Sequence, residues 1–329
     1  MTETTRVWQS DTPGIAGLRQ VTLPCPTPGP GEALVRVEAA ALNFSDLLML
    51  EDKYQIRPPR PFVPGQEIAG TVMAAGPDCG LEPGARIAAK TTWGGFAGHA
   101  LVRADMAMPI PENLSFAEAA ALPVAYTTAY VALTESTTIA PGETVLVLAA
   151  AGGVGLAAVE IAKHLGARVI AAAGGADKVE LALAAGADAA FDYRTEGWRD
   201  AVKTLTEGRG VDVVLDPVGG DATLEALRLL AWEGRLLIVG FTSGTIPAIP
   251  ANRLLLKRAS AIGVYWSHDR DHDMLRRVAK GLFDLAEAGA IKPHVMTGFA
   301  FDALPDALIA LRDRKTTGKV VLTRTRETF

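Results

Sequence analysis

The sequence has little cysteine, few aromatic residues and no excess of basic charge. Its 329 residues include 2 cysteines and 6% aromatic residues, and the formal net charge is −5. Cys25 and Cys79 are far apart and in no C-x-x-C pair, which excludes a four-cysteine zinc site and argues against a disulfide framework. We interpret both cysteines as structurally incidental. A nucleic-acid partner is not expected, because Lys and Arg would have to neutralise its phosphates.

Long hydrophobic runs are also missing. No uninterrupted apolar stretch reaches the roughly 18 residues that suggest a membrane-spanning helix, and residues 1–10 are polar, unlike a signal peptide. Hydrophobic residues still make up 49% of the chain, which is a globular composition. We therefore expect a cytoplasmic protein with no membrane partner, and its length suggests about two domains.

The segment 144–155 predicts a dinucleotide-binding turn. Residues 144–149 form an apolar run without alternation, as expected for a parallel strand that is covered on both faces. The glycine-rich turn that follows places Gly152, Gly153, Val154 and Gly155 at the start of an apolar helix predicted over 156–165. Gly152 would let the backbone approach a pyrophosphate, and Gly155 would let the helix pack on the strand. The helix N-terminus would supply N–H donors for the phosphates.

The pattern of predicted elements changes at Thr144. Before it, short strands separated by turns are predicted at 32–39, 67–75, 85–89 and 98–102, which indicates a largely antiparallel, barrel-like domain. After it, strands alternate with alanine-rich helices. The strands are predicted at 144–149, 167–173, 189–192, 211–216, 235–240 and 260–265, and the helices include 178–185 and 222–230, the latter ended by a turn at Gly234. This alternation predicts an α/β doubly wound parallel sheet.

The ends of the chain are expected to share one domain. A helix over 271–288 and a last strand over 319–323 follow the alternating region, and the strand is expected to pair with the first domain. A helix over 115–133, interrupted near Pro123, is the expected bridge. We predict a catalytic domain from 1–123 and 267–329, with a dinucleotide-binding domain over 124–266 between them.

Ordered motifs along the whole chain resemble the zinc-independent quinone oxidoreductases of the medium-chain dehydrogenase/reductase superfamily, the group that includes zeta-crystallin. The motifs are Asn43-Phe44-Ser45-Asp46, Pro64-Gly65-Gln66-Glu67-Ile68-Ala69-Gly70, the glycine turn at 150–155, Asp216-Pro217-Val218-Gly219-Gly220 and Gly318-Lys319-Val320-Val321. The resemblance implies a GroES-like β-barrel domain interrupted by a Rossmann domain, with the active site in a cleft between them.

The resemblance also implies that catalysis needs no metal. Zinc-dependent members of the superfamily carry a Cys and a His where this chain has Leu42-Asn43 and Gln66. These side chains do not supply the thiolate and imidazole ligands of a catalytic zinc. His99 and His164 each lie alone on a separate segment, and we interpret them as surface or packed residues. Hydride transfer to an already electrophilic quinone or α,β-unsaturated carbonyl is the chemistry that fits.

Catalytic candidates are Asn43, Tyr54 and Asp46. Substrate oxygen gains negative charge as hydride arrives at carbon, so a donor is needed, either the Asn43 amide, the Tyr54 hydroxyl or water. For Asn43, a turn residue before Phe44 is the alternative. Asp46 is either catalytic or the N-terminal carboxylate of a helix over 47–50. Tyr54 either lines the substrate mouth, as the resemblance implies, or is an amphipathic surface ring.

NADPH is the expected cofactor. The second strand of the alternating region ends at Gly174 without the carboxylate that NAD enzymes place on the ribose 2′-hydroxyl. The resemblance places Lys178, Tyr193 and Arg314 around the adenosine phosphate. It further implies that the nicotinamide lies near Thr127, Gly240, Phe241, Thr242, Val264 and Tyr265.

The sequence leaves two alternative functions open and predicts an oligomeric state. An enoyl-thioester (acyl-CoA) reductase is the first alternative, with Arg57 and Arg60 as candidates for the CoA phosphates, and a non-catalytic NADPH-binding protein is the second. Residues 258–265 form the apolar sixth strand at the end of the predicted parallel sheet, and no charge lies inside it, so its free edge predicts a homodimer. Coverage of that edge by residues 251–256 within one chain is the alternative.

Overall fold

The computed structural model describes residues 3–324, which form two units. Described residues up to Val124 and from Leu275 onward form the first unit, and Ala125–Met274 form the second. The chain thus leaves the first unit and later returns to it. The packing changes at 124–125 and 274–275, both inside helical segments, whereas the sequence suggested 123–124 and 266–267.

The described residues contain strands and helices whose bounds are as follows. The strands are β1 (Thr4–Ser10), β2 (Leu18–Pro24), β3 (Glu32–Ala41), β4 (Glu67–Ala75), β5 (Arg86–Lys90), β6 (His99–Arg103), β7 (Ala107–Pro109), β8 (Thr144–Leu148), β9 (Arg168–Ala173), β10 (Ala189–Asp192), β11 (Val211–Asp216), β12 (Leu230–Ile238), β13 (Ser260–Gly263), β14 (Val295–Ala300) and β15 (Lys319–Thr323). The α-helices are α1 (Phe44–Leu50), α2 (Phe116–Ala119), α3 (Thr127–Tyr130), α4 (Gly153–His164), α5 (Ala176–Ala184), α6 (Trp198–Leu205), α7 (Gly220–Leu227), α8 (Ala251–Leu255), α9 (His272–Glu287) and α10 (Leu304–Arg312). Short 3₁₀ turns lie at Ile15–Gly17, Ala104–Met106 and Phe301–Ala303, and π-helical turns at Leu122–Tyr126 and Val131–Glu135.

The first unit is built around a 7-stranded sheet. Its order is β14-β15-β3-β4-β5-β7, and β6 also pairs with β3. Neighbours are antiparallel except β14 and β15, while β1 and β2 form a separate antiparallel ribbon. β15 pairs with β3 through Val321 and Ala41, so the last strand returns to the first unit as predicted. Phe301 and Leu304 complete the apolar core between the sheet and α10.

The second unit is a 6-stranded parallel sheet with the order β10-β9-β8-β11-β12-β13. The chain starts at β8, winds outward to β10, and then returns to the other side of β8 through β11. This is the doubly wound order, with its reversal between β8 and β11. β8 is buried along its whole length, which explains its continuous apolar run.

One sequence prediction in the second unit is wrong. Instead of extending to residue 230, α7 ends at Leu227, and β12 begins at Leu230. Gly234 does not lie in a turn between elements, because it lies inside β12. The pairing with β11 shifts between Leu230 and Arg235, and Glu233 adopts a φ of 59°. The turn signal therefore marks a bulge within a strand.

The segment Phe116–Glu135 is helical, as expected, but changes hydrogen-bond pattern several times. It passes from α2 through π-helical turns on both sides of α3, and Pro123 lies in the first of these turns. Within the described residues this is the one helix with the length and mean hydropathy, 1.2, of a membrane span, yet 67% of that window is buried inside the protein. Core helices have the same properties, so this is weak evidence for a span.

Candidate active-site residues

The turn between β8 and α4 is shaped by close backbone contacts. Ala149, directly after β8, adopts a φ of 47°, and its carbonyl oxygen accepts from Gly152 N at 2.9 Å. A β-carbon on Gly155 would lie 2.3 Å from that same oxygen, so a larger residue would separate α4 from β8. Left-handed backbone at a non-glycine residue is strained, and such residues cluster at ligand sites.

Gly152 and the first turn of α4 have the features of a phosphate site. A β-carbon on Gly152 would approach one neighbouring atom, the Ala149 oxygen, at 3.3 Å. Gly152 is the N-cap of α4, and no side chain caps the helix there. The N–H groups of Gly153, Val154 and Gly155 thus begin a helix without competition from a capping side chain, an arrangement that suits an anion. The turn therefore fits the pyrophosphate of a dinucleotide.

A second cluster lies at the carboxyl ends of β9 and β10. A β-carbon on Gly174 would lie 2.7 Å from the Tyr193 hydroxyl, and one on Gly175 would lie 2.7 Å from Arg194 Nη2. The two glycines therefore let these side chains lie against the turn that leads into α5. Lys178 lies half-buried in the first turns of that helix. The 2′ position of a bound ribose is read at this end of the second strand.

Charge in this cluster is partly balanced. The Arg194 guanidinium donates to both carboxylate oxygens of Asp192, with Nε at 3.0 Å from Oδ1 and Nη2 at 2.9 Å from Oδ2. Arg194 and a Gly175 backbone hydrogen bond lower the pKa of Asp192 to about 2. The carboxylate that ends β10 is therefore ionised and held by an arginine, which limits its availability to a ribose hydroxyl.

Hydrogen bonds join the loop after β11 to the loop after β12. The buried Asp216 carboxylate accepts from Val218 N at 2.8 Å and Gly219 N at 3.1 Å, and also from the Thr223 hydroxyl. Thr242 donates through N and Oγ1 to the Pro217 carbonyl, at 3.1 and 3.0 Å. Asp216 therefore organises this turn, and through it the Gly240 to Thr242 loop.

The remaining predicted nicotinamide residues differ in exposure. Val264 is buried and donates from N to the Ile238 carbonyl at 2.9 Å, whereas Tyr265 is 68% exposed and Phe241 37% exposed. Thr127 is buried in α3. Arg314 belongs to the first unit, where it follows α10 with a φ of 57°.

The first unit contains a buried ion pair beside the predicted catalytic residues. Lys319 Nζ donates to Glu67 Oε2 at 2.6 Å, to Asn43 Oδ1 at 2.8 Å and to the Leu42 carbonyl at 2.9 Å. Glu67 Oε2 also accepts from Asn43 Nδ2 at 3.0 Å, and Oε1 accepts from Val124 N at 2.7 Å. The ammonium uses its three donors, and both carboxylate oxygens are satisfied, as a buried pair requires.

Asn43 and Asp46 are parts of this arrangement. One N–H of the Asn43 amide goes to Glu67, which leaves the second, because the amide has two donors. Asp46 Oδ2 accepts from Asn43 N at 2.8 Å at the start of α1, the helix N-terminal geometry that was the alternative to catalysis. Asp46 Oδ1 is buried without a hydrogen-bond partner. Burial is the main cause that raises the pKa of Asp46 to about 7.

The other residues that the sequence analysis placed near the substrate or at the zinc-ligand positions differ in exposure and in hydrogen bonding. Tyr54 is half-buried and packs against the core of the first unit. Arg60 pairs with Asp52 at 2.6 Å and donates to the Leu50 carbonyl at 2.7 Å. Arg57 is exposed and donates to the Tyr54 carbonyl at 3.3 Å. Gln66 is buried and its side chain accepts from the Ser45 hydroxyl.

The sequence analysis missed the roles of Lys319, Glu67 and Arg194. The first two lay inside motifs used only for the resemblance. Their signal was a charge of opposite sign at the start of each of two otherwise apolar strands, which demands a partner when the strands are buried. Arg194 directly follows Tyr193, but a contact with Gly175 depends on the packing of two strands.

Comparisons with known proteins agree with these features. Residues 29–112 match the alcohol dehydrogenase GroES-like domain, and residues 153–280 match the zinc-binding dehydrogenase family. The chain is 41% identical to the quinone oxidoreductase-like protein 2 of Rattus norvegicus over 298 residues, which cover 89% of this chain and 85% of that protein.

Solved structures are similar over the whole chain. A mycobacterial protein complexed with NADPH has a TM-score of 0.89 at 34% identity, covering 97% of this chain and 100% of that one. A quinone oxidoreductase of Pseudomonas syringae pv. Tomato DC3000 has a TM-score of 0.88 at 30% identity, covering 98% and 100%. The GroES-like and Rossmann folds predicted from the sequence are confirmed.

We expect Asp46→Asn to change how stability depends on pH. The pKa of Asp46 rises from 3.8 to about 7 on folding, so its contribution to stability is fully present below the unfolded value and is lost as pH rises through about 7. The asparagine keeps an oxygen for Asn43 N and does not titrate. Relative to the wild type, the variant should gain at least about 1.4 kcal/mol in unfolding free energy between about pH 4 and pH 8.

Urea denaturation across this pH range measures the difference. Asp306→Asn is the matched control, since Asp306 is an exposed carboxylate in the first turn of α10. A constant difference between wild type and Asp46→Asn at every pH would contradict a raised pKa at Asp46.

Proposed function

Because the chain belongs to the quinone oxidoreductase group of the medium-chain dehydrogenase/reductase superfamily, we propose that it uses NADPH to reduce a quinone or an α,β-unsaturated carbonyl without a metal. The observation that carries the proposal is the β8–α4 turn, with its open Gly152 and uncapped helix start. NADPH would supply the hydride.

The residues of the second unit would bind and orient the dinucleotide. The first N–H groups of α4 would hold the pyrophosphate. Lys178 and Arg194 would hold the 2′-phosphate, with the Tyr193 ring beside them. The loop fixed by Asp216 would present Gly240, Phe241 and Thr242 toward the nicotinamide, since ligands of such sheets bind at the carboxyl ends of the strands.

Residues of the first unit would act on the substrate oxygen. The second N–H of Asn43 is a donor whose position is fixed by Glu67 and Lys319. Such a preorganised donor stabilises charge that develops on the substrate oxygen as hydride reaches carbon. Tyr54 would be a further donor. We assign Asp46 to positioning, because its carboxylate holds the Asn43 backbone.

Metal-independent catalysis is supported by the side chains at positions 42, 43 and 66. Leu42 is buried and apolar, Asn43 is engaged by Lys319 and Glu67, and Gln66 is engaged by Ser45. None of the three side chains is a thiolate or an imidazole. The thioester alternative is weakened by Arg60, since its guanidinium is held by Asp52 and Leu50.

Steady-state rates with NADPH test the proposed reaction. We expect turnover with simple quinones or enones to exceed turnover with enoyl-CoA, and a metal chelator to leave the rate unchanged. Strong preference for the thioester would establish the first alternative. Tight NADPH binding without turnover of any acceptor would support a non-catalytic binding protein. Activity that is lost with the chelator and recovered on addition of zinc would overturn metal independence.

We expect Lys178→Ala and Arg194→Ala to weaken the binding of NADPH more than the binding of NADH. Loss of one charge-assisted contact to the 2′-phosphate is worth about 1 to 2 kcal/mol, or roughly five- to thirty-fold in affinity. Arg194→Ala should shift the preference further, because it leaves the Asp192 carboxylate to repel a phosphate and to accept from a ribose hydroxyl. Titration calorimetry with both cofactors measures the ratio.

Lys163→Ala serves as the charge control. It removes the same charge from the last turn of α4, where Lys163 pairs with Asp188, and it should not alter the ratio of affinities. Equal losses of NADPH and NADH affinity in both test variants would show that neither residue reads the phosphate.

We propose a homodimer through the free edge of β13. This strand pairs with β12 on one side, its residues are mostly exposed, and Leu255, Leu256 and Tyr265 nearby are 78%, 72% and 68% exposed. The α8 segment is therefore itself exposed. Pairing with a second copy about a twofold axis would satisfy the backbone groups of this edge and cover the apolar side chains.

Light scattering at micromolar concentration should therefore give a dimer for the wild type. Ile262→Pro, which removes a backbone donor, and Ala261→Lys, which adds charge at the exposed edge, should both favour monomers. Leu183→Lys is the control, because it adds a charge at an exposed apolar position on α5, next to β9 and β10. A wild-type monomer would refute the assembly.

A further inference from the structure

We propose that the first unit binds a transition-metal ion such as Zn²⁺ through Cys25, His99 and Glu3. Ligand atoms of these three side chains lie within 4.8 Å of one another. Among residues 3–324 this is the one such group of three or more His, Cys, Asp or Glu side chains. It is separate from Leu42, Asn43 and Gln66, so the proposal does not depend on the reaction.

Backbone pairing brings the three residues together from three parts of the chain. Glu3 precedes β1 and Cys25 follows β2, and Cys25 N donates to the Glu3 carbonyl at 2.8 Å. His99 begins β6, and its N donates to Thr5 Oγ1 in β1 at 2.9 Å. The ligand positions are therefore fixed by folding, and the unfolded chain has no comparable site.

The geometry of the sulfur and the imidazole suits one shared ion. Cys25 Sγ and His99 Nδ1 are 3.6 Å apart. Zinc bonds of about 2.3 Å to sulfur and about 2.1 Å to nitrogen, at a tetrahedral angle, place these atoms about 3.6 Å apart. Glu3 is exposed, so its carboxylate is able to move to the ion. Water would occupy a fourth position.

The alternative is a thiol–imidazole hydrogen bond at the same separation. His99 Nδ1 also lies 3.3 Å from Thr5 Oγ1, so the imidazole already has a partner without an ion. The two interpretations differ in chemistry, since a metal requires a thiolate. Spectroscopy that detects a metal–thiolate bond separates them.

The charges of the site suit a divalent cation. One thiolate and one carboxylate would balance Zn²⁺. Burial lowers the pKa of His99, which favours the neutral imidazole that metals require. Burial and the nearby Glu3 raise the pKa of the Cys25 thiol, so ion binding releases a proton and strengthens as pH rises. Around His99, Glu38 favours a cation, whereas Arg36 and Arg324 oppose it.

A bound ion would join the β1–β2 ribbon to the larger sheet. Cys25 and Glu3 belong to the open end of the ribbon, where Thr4 pairs with Pro24, and His99 belongs to β6. Ligands from both parts would resist separation of the ribbon. The ion is therefore expected to act on stability and to leave turnover unchanged.

Cobalt titration of the untagged, metal-free full chain tests the site. We expect one Co²⁺ per chain, with the ultraviolet absorption of a thiolate bound to cobalt, and displacement of that ion by Zn²⁺. Cys25→Ser should abolish the absorption, and His99→Ala should weaken binding at least about tenfold. Cys79→Ser, which removes the other thiol, should leave the titration unchanged.

A variant of the exposed ligand tests the site without disturbing the fold. Glu3→Ala truncates an exposed side chain and should weaken Co²⁺ binding while circular dichroism stays unchanged. Zn²⁺ should raise the Tm of the wild type more than that of Glu3→Ala. Absence of thiolate absorption in the wild type, its persistence in Cys25→Ser, or its loss in Cys79→Ser would each overturn the proposal.

Discussion

The buried pair of Lys319 and Glu67 is the interaction on which the first unit depends. It joins β15 to β4, orients the Asn43 amide, and anchors the helical segment through Val124 N. Charges without solvent are tolerated only when every donor and acceptor is used, and removal of one partner from such a pair typically costs about 3 to 5 kcal/mol. Structure and chemistry are therefore joined in one cluster, because the same contacts that close the sheet fix the donor proposed for the substrate.

The second unit relies on a different constraint, the close approach of backbone to backbone. Gly155 leaves no room for a side chain beside the Ala149 carbonyl, and a β-carbon on Gly174 or Gly175 would displace the end of the Tyr193 or Arg194 side chain. Missing side chains thus bring a helix start and two polar side chains to one edge of the parallel sheet. In the first unit, by contrast, the polar Asn43 amide is held by the opposite charges of Lys319 and Glu67.

Local patterns were sufficient to predict most of the fold. The apolar run at 144–149 and the glycines after it are adjacent in the chain, and so are the strands and helices that follow. Lys319 and Glu67 are 252 positions apart, and nothing local shows that they meet. The bulge at Gly234 was misjudged for a related reason, since a turn residue has the same local signal inside a strand as at its end. The absence of Cys and His at positions 42, 43 and 66 was visible because it depends on residue type alone.

The return of the chain to the first unit has a consequence for the order of biosynthesis. A ribosome completes β3 and β4 long before it reaches β15, so the nascent first unit contains Glu67 without its lysine and a sheet edge without its last partner. Residues 125–274 are contiguous, and all of their strands emerge together. Every strand of the inserted parallel sheet has therefore been made before the final strand emerges, and a premature stop before Lys319 leaves the Glu67 carboxylate without its cation.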